Sequence, residues 1–259
     1  MKLQIIGGGK MGEALLGGIL STGWANPEEL TVVELDGARR TELGARYEGI
    51  SASAEVAAHV DALIAVKPQY VADVLTDLGP GVRALSVAAG VRIDVMESAA
   101  PGAHVIRAMP NTPALVGQGA SAIAGGSLAT EEDLDWAASI LGAVGLVVRV
   151  DESDLDAVTG LSGSGPAYVF HLVEGLIAAG VAQGLSPEVA DVLARQTLLG
   201  AATLLIESGE SPAVLRENVT SPGGTTAAGL AVFGAADLVG LVGKVVQAAT
   251  ERSVELGQS

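Results

Sequence analysis

The stretch that most constrains this chain lies at its start. Leu3-Gln4-Ile5-Ile6 is a short apolar run, Gly7-Gly8-Gly9-Lys10-Met11-Gly12 follows at once, and residues 13–20 carry a helical pattern. Strand, glycine turn and helix come in that order, with glycines at the spacing G-x-G-x-x-G. Gly7 allows a tight bend, Gly9 lets backbone approach a pyrophosphate, and Gly12 lets the helix pack on the strand. The unpaired N–H groups of the helix start then face the phosphates. A plain glycine-rich turn of an α/β protein would carry the same letters, but the strand before it and the helix after it favour a dinucleotide.

Charge sharpens that expectation. The net charge is −16, a field that repels phosphate backbones and anionic lipid, so neither nucleic acid nor a membrane surface is expected as a partner. A nucleotide cofactor must then be held by local N–H groups. There is no cysteine, which excludes disulfides, thiolate nucleophiles and Cys-ligated zinc, and His59, His104 and His171 show no metal spacing, so no metal site is expected. Residues 2–6 already read as a strand and no uncharged apolar run has the length of a membrane span, so a cytoplasmic protein is expected. Aromatic residues make up only 3% of the chain against 49% hydrophobic, so the core must be built from Ala, Val, Leu and Ile.

Taken in order, Leu30-Thr31-Val32-Val33 reads as a second strand ending at Glu34, 22 residues past Gly12, where an acidic residue meets an adenosine ribose 2′-OH. Asp36 is a second candidate, and Arg39 or Arg40 could instead favour a 2′-phosphate. Residues 61–66 form the next strand and Pro68 ends it, which puts Lys67, one of only four lysines, at the rim where open parallel sheets bind ligands. Further strands are expected at 84–88, 104–109, 121–124 and 145–150. Asn111 and Thr112 stand between Pro110 and Pro113 at the sheet rim, an ordered amide and hydroxyl suited to a nicotinamide carboxamide or a small polar substrate. A helix at 131–141 has Thr130 as its N-cap.

Beyond residue 150 the pattern is helical, with a break expected at Ser162-Gly163-Ser164-Gly165-Pro166. Residues 167–182 are apolar nearly all round, which predicts a helix buried on all sides. Helices follow at 187–208, 211–218, 224–233 and 236–256. The reading is an α/β chain: a Rossmann-type dinucleotide-binding domain at 1–150, then an all-helical dimerisation domain at 151–259 that buries itself in a partner subunit.

Ser221-Pro222-Gly223-Gly224-Thr225-Thr226 is the most specific stretch. Successive free N–H groups from Gly223 to Thr226 form an anion-binding concavity at a helix start, and two hydroxyls stand beside it. A well-capped helix start is the plain reading; a carboxylate-binding loop is the functional one. With GGGKMG at 7–12, AVKP at 65–68, RAMPNTP at 107–113, SGSGPAY at 162–168 and ERSVEL at 251–256, it makes the whole chain resemble the pyrroline-5-carboxylate reductase family.

The resemblance implies an NADPH- or NADH-dependent reduction of 1-pyrroline-5-carboxylate to L-proline, an intertwined homodimer that often assembles into decamers, and a substrate carboxylate held by Ser221–Thr226, largely from the partner subunit. Its cofactor side maps onto Gly7, Gly8, Gly9, Lys10, Met11, Gly12, Glu34, Ser53, Ala65, Val66, Lys67, Pro68, Met109, Pro110 and Asn111. Lys10 stands where the family has asparagine, and Ser53 stands for its polar contact near the second strand. Hydride transfer to an iminium that binds already protonated needs two rings face to face, not a strong acid. Thr226 is therefore assigned an orienting hydrogen bond to the ring nitrogen, as the catalytic residue. A β-hydroxyacid dehydrogenase shares this two-domain plan but needs a lysine early in the second domain, and the only lysine beyond residue 150 is Lys244. A non-catalytic NAD(P)-binding protein is the other alternative.

Overall fold

Strand β1 (Leu3–Ile6) is buried at every position, as a strand covered on both faces must be. Its one polar side chain, Gln4, is satisfied in place: its amide donates to the carbonyls of Ala57 and Val60 at 2.7 and 2.9 Å and accepts from Ala57 N at 2.9 Å. The structure, a computed structural model, describes residues 1–257.

From β1 the chain runs through α1 (Lys10–Ser21), β2 (Leu30–Val33), α2 (Gly37–Arg46), β3 (Ser51–Ser53), β4 (Ala62–Ile64), α3 (Val71–Thr76), β5 (Arg83–Ser86), α4 (Ile93–Ala99), β6 (His104–Met109), β7 (Gly119–Gly125), α5 (Glu131–Leu141) and β8 (Gly145–Arg149). Among the described residues eight strands form one sheet in the order β3-β2-β1-β4-β5-β6-β7-β8. Alternate residues of β1 feed two cores. Leu3 and Ile5 pack with Leu15, Leu16 and Ile19 of α1, and Ile6 packs with Ile64, Val71 and Leu75 on the other face.

All pairings are parallel except β6 with β7. That exception follows from chain length. Residues 110–118 connect the two strands, too few for the crossover that a parallel pair needs. Strand β3 is absent from the sequence expectation because Ser51-Ala52-Ser53 has almost no apolar signal; it forms by pairing with β2 at the sheet edge. The strand expected at 61–66 narrows to Ala62–Ile64, and the one at 121–124 widens to Gly119–Gly125. Helix α5 has the expected bounds, with Asp133 N donating to the Thr130 hydroxyl at 3.3 Å. The Asp133 carboxylate is a buried hub: burial alone would raise its pKa, but hydrogen bonds from Thr130, His104 and Arg83 hold it well below the usual carboxylate range.

After β8 come α6 (Leu155–Val158), a single π turn at Thr159–Gly163, α7 (Gly165–Ala182), α8 (Pro187–Ser208), α9 (Pro212–Asn218), α10 (Thr225–Ala235) and α11 (Leu238–Leu256). The break expected at 162–166 falls at this π turn, closed by Ser164 N donating to the Thr159 carbonyl at 2.8 Å, and α7 starts at Gly165. The chain divides into two compact units: Met1–Ser164 with residues 246–257, and Gly165–Val245.

The second unit leaves much apolar surface unpartnered. No residue of α7 is buried, against the expectation of a helix enclosed on all sides, and Phe170 is 62% exposed. In α8 only Ala190 and Ala194 are buried. By length and composition alone, Glu152–Ala182 and Pro187–Ser208 are apolar enough to cross a membrane.

Candidate active site

β1 pairs with β2 on one side and with β4 on the other, so the strand order reverses direction there. Open α/β sheets bind ligands at the carboxyl ends of the strands flanking such a switch point. A cleft of about 840 Å³ opens there, lined by Gly7 and Gly9 of the glycine turn, by Glu34 and Leu35 after β2, and by Ala65, Val66 and Lys67 after β4.

The glycines of the turn have separate tasks. Gly7 has φ +107°, and a Cβ on it would stand 2.7 Å from the Ala65 carbonyl oxygen. A Cβ on Gly12 would stand 2.0 Å from the Gly7 carbonyl oxygen, so α1 sits against β1 only with no side chain there. At Gly9 a Cβ would meet nothing within 4 Å. Gly9 caps α1 in extended conformation with no side-chain hydrogen bond. The first N–H groups of α1 therefore have no side-chain acceptor at the cap, the donors a pyrophosphate requires. The residues present fit a dinucleotide.

Around the end of β2 the charged groups have partners. Glu34 accepts from Gly8 N at 2.9 Å and Asp36 N at 3.0 Å. Asp36 caps α2 by accepting from Ala38 N at 2.9 Å. Ser53 accepts from Glu55 N at 2.9 Å, and its carbonyl receives Glu34 N at 3.0 Å. Lys67 N-caps a short 3₁₀ turn that opens with Pro68, and Tyr70 at its end joins the cleft wall.

At the end of β6, Asn111 is 9% exposed. Its side-chain amide donates to the Ser162 carbonyl at 3.0 Å and accepts from Ala120 N at 2.9 Å. It thus ties the Met109-Pro110-Asn111 rim to the start of β7 and to the π turn. A Cβ on Gly163 would stand 2.5 Å from Met109 Cε, so this glycine admits the methionine.

The other glycine loop lies in the second compact unit. Pro222 and Gly223 form the corner of a turn in which Gly224 N donates to the Ser221 carbonyl at 3.0 Å, and Gly223 has φ +68°, which a type II corner requires. Gly224 then N-caps α10 in extended conformation, again with no side-chain hydrogen bond, and Thr225 and Thr226 are exposed on its first turn.

Of the residues singled out from sequence, the cleft gathers Gly7, Gly9, Glu34, Ala65, Val66 and Lys67. Gly8, Lys10, Met11 and Gly12 continue the turn into α1, while Ser53, Pro68, Met109, Pro110 and Asn111 lie at strand ends outside the cleft lining. Its outer wall was missed: Ala54, Glu55 and Val56 follow the unanticipated β3, and Asp73, Val74 and Asp77 come from α3 and its end. The only signal for it was Lys67-Pro68 turning the chain toward α3.

The family described as pyrroline-5-carboxylate reductase dimerisation matches residues 152–256, and that described as NADP oxidoreductase, coenzyme F420-dependent, matches residues 2–91. A pyrroline-5-carboxylate reductase of Synechocystis is 44% identical over 264 aligned positions, covering 100% of this chain and 99% of that protein. The chain belongs to the pyrroline-5-carboxylate reductase family. Two solved family structures agree along their length. The pyrroline-5-carboxylate reductase of Coxiella burnetii superposes with TM-score 0.95 at 32% identity, covering 100% of this chain and 99% of that one. The Plasmodium falciparum pyrroline carboxylate reductase, solved with NADP bound, superposes with TM-score 0.85 at 31% identity, covering 99% and 98%.

The two glycines should part company on substitution. Gly9→Ala is expected to keep the melting temperature within a few degrees, because the space is open and an N-cap change of this kind costs at most about 1 kcal/mol. It should weaken NAD(P)H binding by about tenfold or more, roughly 1.4 kcal/mol. Gly12→Ala is expected to lower the melting temperature clearly. Fluorescence titration with thermal unfolding checks both, and undiminished nucleotide binding in Gly9→Ala would remove the phosphates from this turn.

Proposed function

We propose that this chain reduces 1-pyrroline-5-carboxylate to L-proline with NADPH or NADH, the last step of proline biosynthesis. The observation that carries the reading is the loop Ser221–Thr226 closing on an uncapped helix start, in a chain that matches pyrroline-5-carboxylate reductases from end to end.

The nicotinamide cofactor supplies the hydride. The chain's own residues do the rest by holding. Gly7–Gly12 seat the pyrophosphate on the N-terminus of α1, Glu34 and residues 65–67 line the path of the nucleotide, and Ser53 and Pro68 stand at its edge. Met109, Pro110 and Asn111 set the rim near the nicotinamide. The first N–H groups of α10 hold the substrate carboxylate, an anion at the positive end of a helix dipole. Thr226 donates no proton to the reaction, because a threonine hydroxyl is too weak an acid; it positions the ring nitrogen. The β-hydroxyacid dehydrogenase alternative lacks its lysine, since Lys244 sits in α11.

The working division is a nucleotide domain at 1–150 and a helical domain at 151–259. Its apolar helices supply a dimer interface, a use of the unpartnered surface of α7 and α8 that requires no membrane. Assembly of dimers into a decamer, contribution of the loop by the partner subunit and a cytoplasmic location complete the proposal.

Two outcomes are expected. Thr226→Ala should lower kcat/KM by roughly 10- to 100-fold, about 1.4–2.7 kcal/mol, the scale of one hydrogen bond to a charged group, with NAD(P)H affinity unchanged. Thr225→Ala should cost less; equal losses at both positions would leave the binding to the backbone alone. In sedimentation at micromolar concentration the protein should run as a dimer or larger, and a stable, active monomer would contradict the assembly.

A further inference from the structure

NADH and NADPH differ by one phosphate on the adenosine ribose 2′-oxygen, and the groups that would meet it stand where β2 ends. We infer that this chain discriminates against the 2′-phosphate and uses NADH in preference to NADPH. The inference rests on reading the cleft as a dinucleotide site and adds to it the choice of cofactor.

Glu34 is the first residue after β2 and lines the cleft. Its carboxylate is fixed by Gly8 N at 2.9 Å and Asp36 N at 3.0 Å. A carboxylate has about four lone-pair positions, so acceptor capacity remains for a ribose hydroxyl. A phosphate brings only acceptors and up to two negative charges, and it would meet a carboxylate that two backbone bonds hold in place.

The two cations that could compensate are committed elsewhere. Arg39 donates through Nε to the Gly8 carbonyl at 2.8 Å, and its guanidinium pairs with Glu13 at 2.5 Å and Glu42 at 2.8 Å. Arg40 donates to the backbone carbonyls of Glu34 and Leu35 at 2.5 and 2.8 Å. Freeing Arg39 would leave Glu13 with Arg46 as its one cation, beside the Tyr47 hydroxyl, and unbrace the glycine turn. The remaining charged groups of the cleft wall are Glu55, Asp73 and Asp77, against Lys67. Lys67 follows β4, which lies on the opposite side of β1 from Glu34. The local field therefore has the same sign as the net charge of −16. The Plasmodium falciparum relative was solved with NADP bound, so the preference inferred here belongs to these side chains and not to the fold.

The test is direct titration of the full-length protein with NADH and NADPH, followed by kcat/KM for each. The wild type is expected to bind NADH about tenfold or more tightly than NADPH. Glu34→Gln keeps a side-chain oxygen for Gly8 N and removes the charge; it should close the gap by about tenfold, mainly through tighter NADPH binding. Arg40→Ala should leave the ratio unchanged. Equal affinities or an NADPH preference in the wild type would overturn the inference while leaving the cleft a dinucleotide site. So would an unmoved ratio in Glu34→Gln, or loss of NADPH binding in Arg40→Ala. Binding of neither nucleotide would overturn the reading of the cleft itself.

Discussion

At position 12 no side chain fits between the first helix and the turn that leaves the first strand. A Cβ on Gly12 would lie 2.0 Å from the Gly7 carbonyl oxygen, so the approach of α1 to the end of β1 requires glycine at position 12, while Gly7 is required by its φ of +107° and by the Ala65 carbonyl. That approach sets the start of α1 at the switch point of the sheet, beside the cleft between β2 and β4. Backbone N–H groups thereby become the charge-bearing surface of the site. In a chain with a net charge of −16 this matters, since no general positive field can hold a phosphate.

The same device occurs twice, and other helices of the chain show what it gives up. α5, α8 and α9 begin with Thr130, Ser186 and Ser211, whose side chains each accept a backbone N–H of the first turn. α1 and α10 begin instead with Gly9 and Gly224, both extended and both without a side-chain cap. A Ser, Thr, Asp or Asn cap is worth only about a few tenths of a kcal/mol over glycine, so leaving it out at these two starts costs little stability. What remains at each start is a set of N–H donors with no side-chain acceptor, which the proposed function assigns to a phosphate at one helix and a carboxylate at the other. Hydride transfer to a protonated imine asks for little else from the protein, because binding and alignment lower the barrier without a strong acid.

Much of this was legible in the sequence because it lies in backbone-forcing residues. Gly7, Gly12 and Gly223 are readable from spacing alone, since each answers a steric or φ demand. Thr130 announced α5 through its side chain, which accepts the Asp133 N–H of the first turn. The misses share a different cause. Ser51–Ser53 became a strand through its partner β2, not through its own propensity, and with it went Glu55 and Val56 of the cleft wall. The antiparallel turn into β7 depended on connection length rather than composition. The apolar pattern of 167–182 predicts a helix buried on all sides, yet within one chain none of α7 is buried. Asn111 reads from sequence as a ligand contact; the fold adds that its amide accepts from Ala120 N and donates to the Ser162 carbonyl, 51 residues further along the chain, which no local pattern displays.

The most direct measurement follows the hydride itself. The protein is incubated with 1-pyrroline-5-carboxylate and NADH carrying deuterium at nicotinamide C4 on both faces, and the product is analysed by mass spectrometry. The expected product is L-proline with one deuterium on ring carbon 5, formed as the cofactor is oxidised. Absence of proline, or proline without the label, would contradict the assignment of the glycine turn and the carboxylate loop to one hydride transfer.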